Sequence, residues 1–430
     1  MKKGFKLSPL AIVFAIVFFD LLGFGILIPV IPQLLANPIS PDYLLPAGWT
    51  IKDGFIALGF LTALYSFGQF IANPILGELS DKYGRKRILA ICLAGTALSY
   101  VVFAYAIITK NVPLLFISRF VDGITGGNIS VAQAVIADIT KPSERAKSFG
   151  LIGAAFGLGF ILGPYIGGKL ADPSIVSWFS ASTPFWFAAI LGALNFLAVV
   201  LWLPETLKDR KEKIKLHLLQ SFHNIGQVFK LPPLRTIFIT SFLMQGGFTF
   251  FTTFASVFLI TRFSFTQGNI GDYFSYLGLW IAFSQAVVTR KVSALFREDQ
   301  ILKVTIIGMA ICIAAFFLPT VRWQLFLIAP FFAMFNGLTM ANMTSLVSKQ
   351  ATAENQGEVL GISSSVQALA QTIPAAISGY IAASLASDTP LIVGSLTVLL
   401  AGLAFNFFYR NSNQEFSDRG GKDAAPALSH

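Results

Sequence analysis

Charged side chains are scarce in this chain: Asp, Glu, Lys and Arg make up 12% of its 430 residues. A soluble domain carries about a quarter. With 55% hydrophobic residues and a mean hydropathy of +0.70, too little polar surface remains to cover a water-soluble fold. Cysteine is nearly absent as well. Cys92 and Cys312 both lie inside apolar runs, which supports neither a disulfide framework nor a thiolate metal site. The three histidines, His217, His223 and His430, fall in a polar stretch and at the C-terminal end, so no zinc or haem constellation is available. No nucleophile–base pair is visible, and an enzyme is the least expected class. The excess of 31 basic over 21 acidic residues is no nucleic-acid footprint, because the basic residues cluster between apolar runs.

Long apolar runs are what the chain does have. A bilayer-spanning helix needs about 20 mostly apolar residues. Twelve such runs can be placed, at 9–34, 54–76, 88–108, 113–138, 147–170 and 184–203, then at 236–260, 269–288, 300–319, 323–347, 358–385 and 389–409. The polar stretch 205–235 between the two sets reads as a linker, with a short amphipathic helix near its end. The last twenty residues, 411–430, read as a disordered tail. The expected fold is therefore an all-α membrane protein, with twelve transmembrane helices in two pseudo-symmetric six-helix bundles, 1–204 and 236–410. The first run reaches Leu35, is too long for a signal-peptide core and lacks a small-residue cleavage site, so it is expected to be retained.

Basic loop residues orient the chain. With the N-terminus inside, twenty-five of the 31 Lys and Arg fall in inner segments. Only Lys52, Lys110, Lys169, Arg262 and Arg322 fall outside, and Arg119 lies within a helix. Both termini are expected in the cytoplasm. The chain also repeats itself. Asp122-Gly-Ile-Thr-Gly-Gly-Asn128 matches Asn336-Gly-Leu-Thr-Met-Ala-Asn342, Gln69 matches Gln285, and Pro164 matches Pro374, in one order and at offsets of 214, 216 and 210 residues. Duplicated halves of this kind place a solute site between them near the bilayer midplane.

Ionisable groups inside a bilayer are functional candidates by default. Asp20 lies about 18 Å into the first helix and Asp122 about 14 Å into the fourth, at 1.5 Å per residue, so both fall near the midplane. Arg119 stands three residues before Asp122 and can pair with it on one helix face. We expect Asp20 and Asp122 to share proton coupling, with Arg119 modulating Asp122; a purely structural ion pair is the alternative. The expected cavity lining is polar and uncharged: Gln69, Asn73, Asn128, Gln133, Gln245, Gln285, Asn336 and Asn342. With 43 Phe in the chain, such a cavity suits a medium-sized organic solute. A non-transporting sensor or assembly protein would give no reason to keep polar residues on the inner faces of both halves.

Three motifs carry a resemblance. Gly77-Glu-Leu-Ser-Asp81-Lys-Tyr-Gly84-Arg85-Lys86-Arg87 joins the second and third runs, and its Gly–Asp–Gly frame permits a tight turn. Gly153, Gly157, Gly159, Gly163, Pro164, Gly167 and Gly168 form a seam of small residues on which helices can approach closely. Phe19-Asp20-Leu-Leu-Gly-Phe-Gly-Ile-Leu-Ile-Pro29-Val-Ile-Pro32, Tyr65-Ser-Phe-Gly-Gln69 and Leu203-Pro-Glu-Thr206 complete the set. From the first helix to Thr206 the chain closely resembles the drug:proton antiporters of the major facilitator superfamily, and within them the tetracycline-type exporters. The second half is weaker, best at Asn336–Gly361.

The resemblance implies a proton-coupled exporter in the bacterial inner membrane, monomeric, driven by the proton gradient and using no cofactor or metal. It also implies a cytoplasmic gate at Gly77, Asp81, Gly84, Arg85, Asp138 and Arg145, and a packing seam at Gly159, Gly163, Pro164 and Gly168. The chain departs from those exporters where they carry an acid in the third helix, which here is Ser99, and another in the ninth, where Met309-Ala-Ile-Cys-Ile has none. A metal-chelated tetracycline is therefore not the expected solute. Uptake of a metabolite such as an organic acid, siderophore or vitamin-like compound is the alternative, because one fold supports both directions.

Overall fold

The computed structural model describes residues 8–140, 145–207, 219–228, 232–349 and 356–409. The expected tail and the middle of the linker lie outside the described residues. The first half holds α1 (Pro9–Leu35), α2 (Ile51–Tyr83), α3 (Arg85–Ile108), α4 (Val112–Thr125), α5 (Asn128–Ile139), α6 (Arg145–Leu170) and α7 (Thr183–Trp202). After a short α8 (Gln220–Val228), the second half holds α9 (Pro232–Phe263), α10 (Gln267–Phe283), a π-helical turn (Ser284–Thr289), α11 (Arg290–Leu295), α12 (Glu298–Ala315), α13 (Arg322–Lys349), α14 (Gln356–Ser384) and α15 (Thr389–Phe408). α9 begins inside the stretch assigned to the linker.

Local chemistry sets these boundaries. Ser8 caps α1 by accepting from the Ala11 amide, and Pro9 opens the helix where its missing N–H costs nothing. Thr50 and Asp53 form a reciprocal capping box at the start of α2. α2 ends and α3 begins at Gly84, whose φ of 102° only glycine adopts without strain.

Two crossings differ from the expected single helices. The fourth breaks between α4 and α5 at Gly126–Gly127, where consecutive glycines offer no side-chain packing to hold the helix straight. The eighth runs through the π-helical turn into α11 and extends beyond the expected 288. Among the described residues, seven helices are individually long and apolar enough to cross a membrane: α1, α2, α3, α7, α9, α13 and α15. The two composite crossings with α6, α12 and α14 complete the twelve.

The halves repeat each other's packing. α1 lies on α6 as α9 lies on α14, and α3 on α7 as α12 on α15. They meet along α2–α14 and α6–α10. The glycine seam serves both purposes. A Cβ on Gly163 would stand 2.7 Å from Gly25 Cα of α1, while one on Gly168 would stand 2.6 Å from the Gln267 carbonyl of α10. Gly159 packs on Leu21, and the Pro164 ring on Gly25. Across the other seam, Gly59 of α2 abuts the backbone of Ala375 and Gly379 in α14.

The direct ties between the halves among the described residues gather on the face that carries the 36–50 loop. Gln33 Nε2 donates to the Phe265 carbonyl at 3.4 Å, Ser256 Oγ to Ile28 at 3.1 Å, and Gln267 Nε2 to Asp42 Oδ2 at 3.2 Å. Lys169 pairs with Asp272 at 2.9 Å, and Ser275 Oγ donates to the Ile161 carbonyl at 2.7 Å. Toward the opposite, basic face, α8 bridges instead. Its Ser221 hydroxyl donates to the Phe70 carbonyl of α2, and Asn224 Nδ2 donates to Ser365 Oγ of α14 at 3.1 Å. Ser221, Asn224 and Val228 are buried while Leu219 and Phe222 are exposed, so α8 turns a largely polar face to the protein. That is the short amphipathic helix the linker sequence anticipates.

Gly163→Val places branched carbons where only backbone can yield. We expect a loss of about 1–3 kcal/mol, read as a lower melting temperature of purified protein. An unchanged melting temperature would show that α1 and α6 tolerate separation.

Candidate functional site

The midplane acids converge in the first half. On α4 the i, i+3 spacing sets Arg119 over Asp122, and Arg119 Nη1 meets Asp122 Oδ2 at 2.6 Å with both side chains 4% exposed. Asp20, from α1, lies within electrostatic reach of Asp122 and beside Asn128, the first residue of α5. Its buried Oδ2 has no hydrogen-bond partner, and neither polar atom of the Asn128 amide has one. The break in the fourth crossing thus separates the Asp122 segment from the Asn128 segment.

Residues that the sequence reading did not single out complete the cluster. Tyr65 of α2 lies flat under Arg119, with the guanidinium carbon 4.3 Å from its ring centre. Tyr65 Oη accepts from Gln69 Nε2 at 3.0 Å, and the same amide donates to the Gly126 carbonyl at 3.2 Å. Tyr100 of α3 reaches the same charges, packed on Gly23 of α1, and Ser99 stands beside Asp122. Thr96 and Thr125 hydroxyls meet at 2.9 Å. The signal for Tyr65 was present: it stands four residues before Gln69, one turn away on the same face. Nothing in the sequence linked α2 to α4.

The other expected cavity residues spread over both halves. Asn73 and Gln245 are half-buried, and Gln133 is exposed. The Asn73 carbonyl accepts from Ser130 at 3.2 Å. Gln285 is half-buried on the π-helical turn. Asn336 is buried with its Nδ2 unpartnered, whereas buried Asn342 donates to the Leu338 carbonyl at 2.8 Å and accepts from Ser293 at 3.2 Å. Aromatic rings pack in the core of the second half. Phe251, Phe316 and Phe332 pack at 5.0–6.0 Å, and Tyr276 lies 5.2 Å from Phe326.

The expected gate residues form one network within the first half. Arg85 is buried and pairs with Asp81 at 2.5 Å and with Asp138 of α5 at 3.2 Å. Its Nη1 donates to Ser80, while its backbone N–H donates to Glu205 Oε1 at 3.0 Å. Thr206 Oγ1 reaches the same Asp138 oxygen at 3.3 Å. The turn, the inner end of α5 and the segment after α7 are thereby bound as one body. Gly77 has open space on its Cβ side, and the Arg145 side chain lies outside the described residues. Among the described residues, no group of His, Cys, Asp and Glu could hold a metal ion.

The model of the Major Facilitator Superfamily matches residues 13–375. The chain is 31% identical over 402 residues to the class C tetracycline resistance protein of Escherichia coli, covering 91% of this chain and 95% of that one. It is 30% identical over 358 residues to the class B protein of Escherichia coli, covering 83% and 84%. Among solved structures, the human organic anion transporter MFSD10 (TETRAN) superposes with a TM-score of 0.70 at 23% identity, covering 92% of this chain and 98% of that one. A D-xylose–proton symporter superposes with a TM-score of 0.74 at 16% identity, covering 93% and 98%. At these identities the two structures speak for the fold alone.

Removing one partner of a buried ion pair strands the other. Arg119→Leu is expected to lose about 3–5 kcal/mol of stability, seen as a fall in melting temperature. The double variant Arg119→Leu/Asp122→Leu is expected to recover much of it. A double variant as unstable as the single one would show that neighbouring groups, not the pair, are at stake.

Proposed function

The chain belongs to the major facilitator superfamily, and from that premise we propose that it exports a small organic solute in exchange for protons by alternating access. The observation that carries the reading is a charge imbalance in the buried cluster. Two carboxyl groups, Asp20 and Asp122, lie in one cluster whose single guanidinium, Arg119, pairs with Asp122. With both acids ionised the cluster holds one uncompensated negative charge, and with one of them protonated it is neutral. An unpaired charge in a medium of low dielectric is costly. Taking up one proton removes that cost, and opening to water lowers it by solvation. Asp20 is the acid without a compensating partner, so it carries the exchanged proton, while Arg119 holds Asp122.

The solute site lies between the halves, where Gln245, Gln285 and Asn336 of the second half offer neutral polar groups. A neutral polar lining in a chain with 43 Phe suits an amphipathic organic solute. It suits a sugar phosphate poorly, because Arg119 is the cluster's one cation and is already engaged. Export is favoured over uptake by the relatives, whose names state resistance to a drug. Ser99 stands where the resembled exporters carry an acid, so the solute is not proposed to be a metal-chelated tetracycline.

The basic loops support a cytoplasmic Gly84 turn and cytoplasmic termini, and the resemblance supports a bacterial inner membrane. On that orientation the hydrogen bonds that tie the halves directly lie on the outer face, and the Arg85, Asp81 and Asp138 network lies on the inner one. On the resemblance the protein works as a monomer, with the proton gradient as its only energy source.

Expression in efflux-deficient bacteria, with growth inhibition and dye efflux measured, tests the reading. We expect protection against several lipophilic compounds, lost in Asp20→Asn and Asp122→Asn at equal membrane abundance. If both variants keep full gradient-driven transport, the proton-coupling assignment fails. If the wild type protects against nothing while supporting growth on a limiting nutrient, the direction is uptake.

A further inference from the structure

Helix breaks inside a bilayer free backbone groups that only the protein can satisfy. At the break in the fourth crossing, the Gly126 N–H still donates to the Asp122 carbonyl at 2.7 Å, but the Ser130 N–H donates to Gly127 rather than to Gly126. The Gly126 carbonyl accepts instead from Gln69 of α2. One turn earlier on α2, the Tyr65 ring lies under Arg119. Between the two points the helices touch through backbone, since a Cβ on Gly123 would stand 2.3 Å from the Tyr65 carbonyl. α2 therefore grips α4 on both sides of Asp122, at residue 119 by a cation–π contact and at residue 126 by an amide. The Tyr65 hydroxyl joins the two grips by accepting from Gln69.

We propose that Tyr65 and Gln69 are positioning residues that bind the Arg119–Asp122 pair and the helix break to α2 as one unit. α2 is also the helix that packs on α14 across the halves, Gly59 against Gly379. A rocking of α2 against α14 is then delivered to the ion pair and to Asn128, the neighbour of Asp20. The role assigns Gln69 to holding the site rather than to contacting solute. It rests on the proton-coupling reading above, and it adds the physical link between that reading and movement of the halves.

The charged groups facing Tyr65 are Asp122 and Arg119 from α4 and Asp20 from α1; Tyr100 of α3 is a titratable neighbour, and Cys92 of α3 faces Asp20. The test is an infrared pH titration of the protonated-carboxyl band in purified protein in lipid nanodiscs, which needs no solute. Asp20→Asn and Asp122→Asn assign the band. Tyr65→Phe keeps the ring but loses the hydroxyl, Gln69→Leu loses the amide, and Tyr65→Leu loses ring and hydroxyl together.

We expect Tyr65→Phe to displace the titration midpoint, Gln69→Leu to displace it at least as far because it also frees the Gly126 carbonyl, and their double variant to displace it no further than Gln69→Leu. Tyr65→Leu is expected to move it further, by on the order of one pH unit. Tyr65→Phe is the mildest change and keeps the test usable if Tyr65→Leu does not fold. Wild-type midpoints in Tyr65→Phe and Gln69→Leu, or displacements that add in the double variant, overturn the proposal and leave the coupling reading standing. A carboxyl band indifferent to both Asp20→Asn and Asp122→Asn overturns the two together.

Discussion

A bilayer interior supplies no hydrogen bonds and hardly any charge solvation, so each buried polar group must find its partner within the protein. The first half meets that demand by concentration. Arg119 leans on Asp122 and on the Tyr65 ring, the Gly126 carbonyl on Gln69, and Thr96 on Thr125. Among the groups left over are Asp20 Oδ2 and the amide of Asn128, side by side, with Arg119 Nε, Glu78 Oε2 and the Asn195 amide also unpartnered. The unpartnered carboxylate oxygen beside a compensated pair is the feature on which the proton-exchange proposal rests.

The two halves are copies in packing and not in chemistry. α1 on α6 and α9 on α14 use equivalent small-residue contacts, with the Pro164 ring on Gly25 in one and the Pro374 ring on Gly246 in the other. Yet Asn336 replaces Asp122 in the second half, and rings replace charges around it. Duplication fixes the shape that two bundles need in order to rock on one another, while each bundle remains free to hold a different part of the task.

Much of the site was legible from spacing alone. Arg119 and Asp122 stand three apart in a helix, and that distance predicts their contact. The depth of Asp20 in its run places it at the same level. The glycine seam announced close packing but not its two faces: Gly163 serves α1 within the half, and Gly168 serves α10 across it. Tyr65 stood in a resemblance motif with no role assigned, because periodicity cannot tell a ring under a cation from one in lipid. Gln69 read as a solute ligand for a similar reason. A polar residue facing inward has the same pattern whether it meets a solute or a carbonyl freed by a helix break 57 residues later in the chain. That break was itself invisible, since glycine pairs are common within transmembrane helices.

The solvent, the twelve crossings, the duplication and the charges within the helices are legible in the chain alone. These follow from composition and from short-range periods of 3.6 residues, which any helix obeys wherever it lies. Packing of distant segments sets the rest: which helix holds which charge, that Arg85 gathers Asp81, Asp138 and Glu205 into one body, and that α8 bridges α2 to α14 with its polar face. Those are contacts between segments far apart in the chain. Their geometry depends on how whole helices are inclined and seated, and no local pattern of residues encodes that.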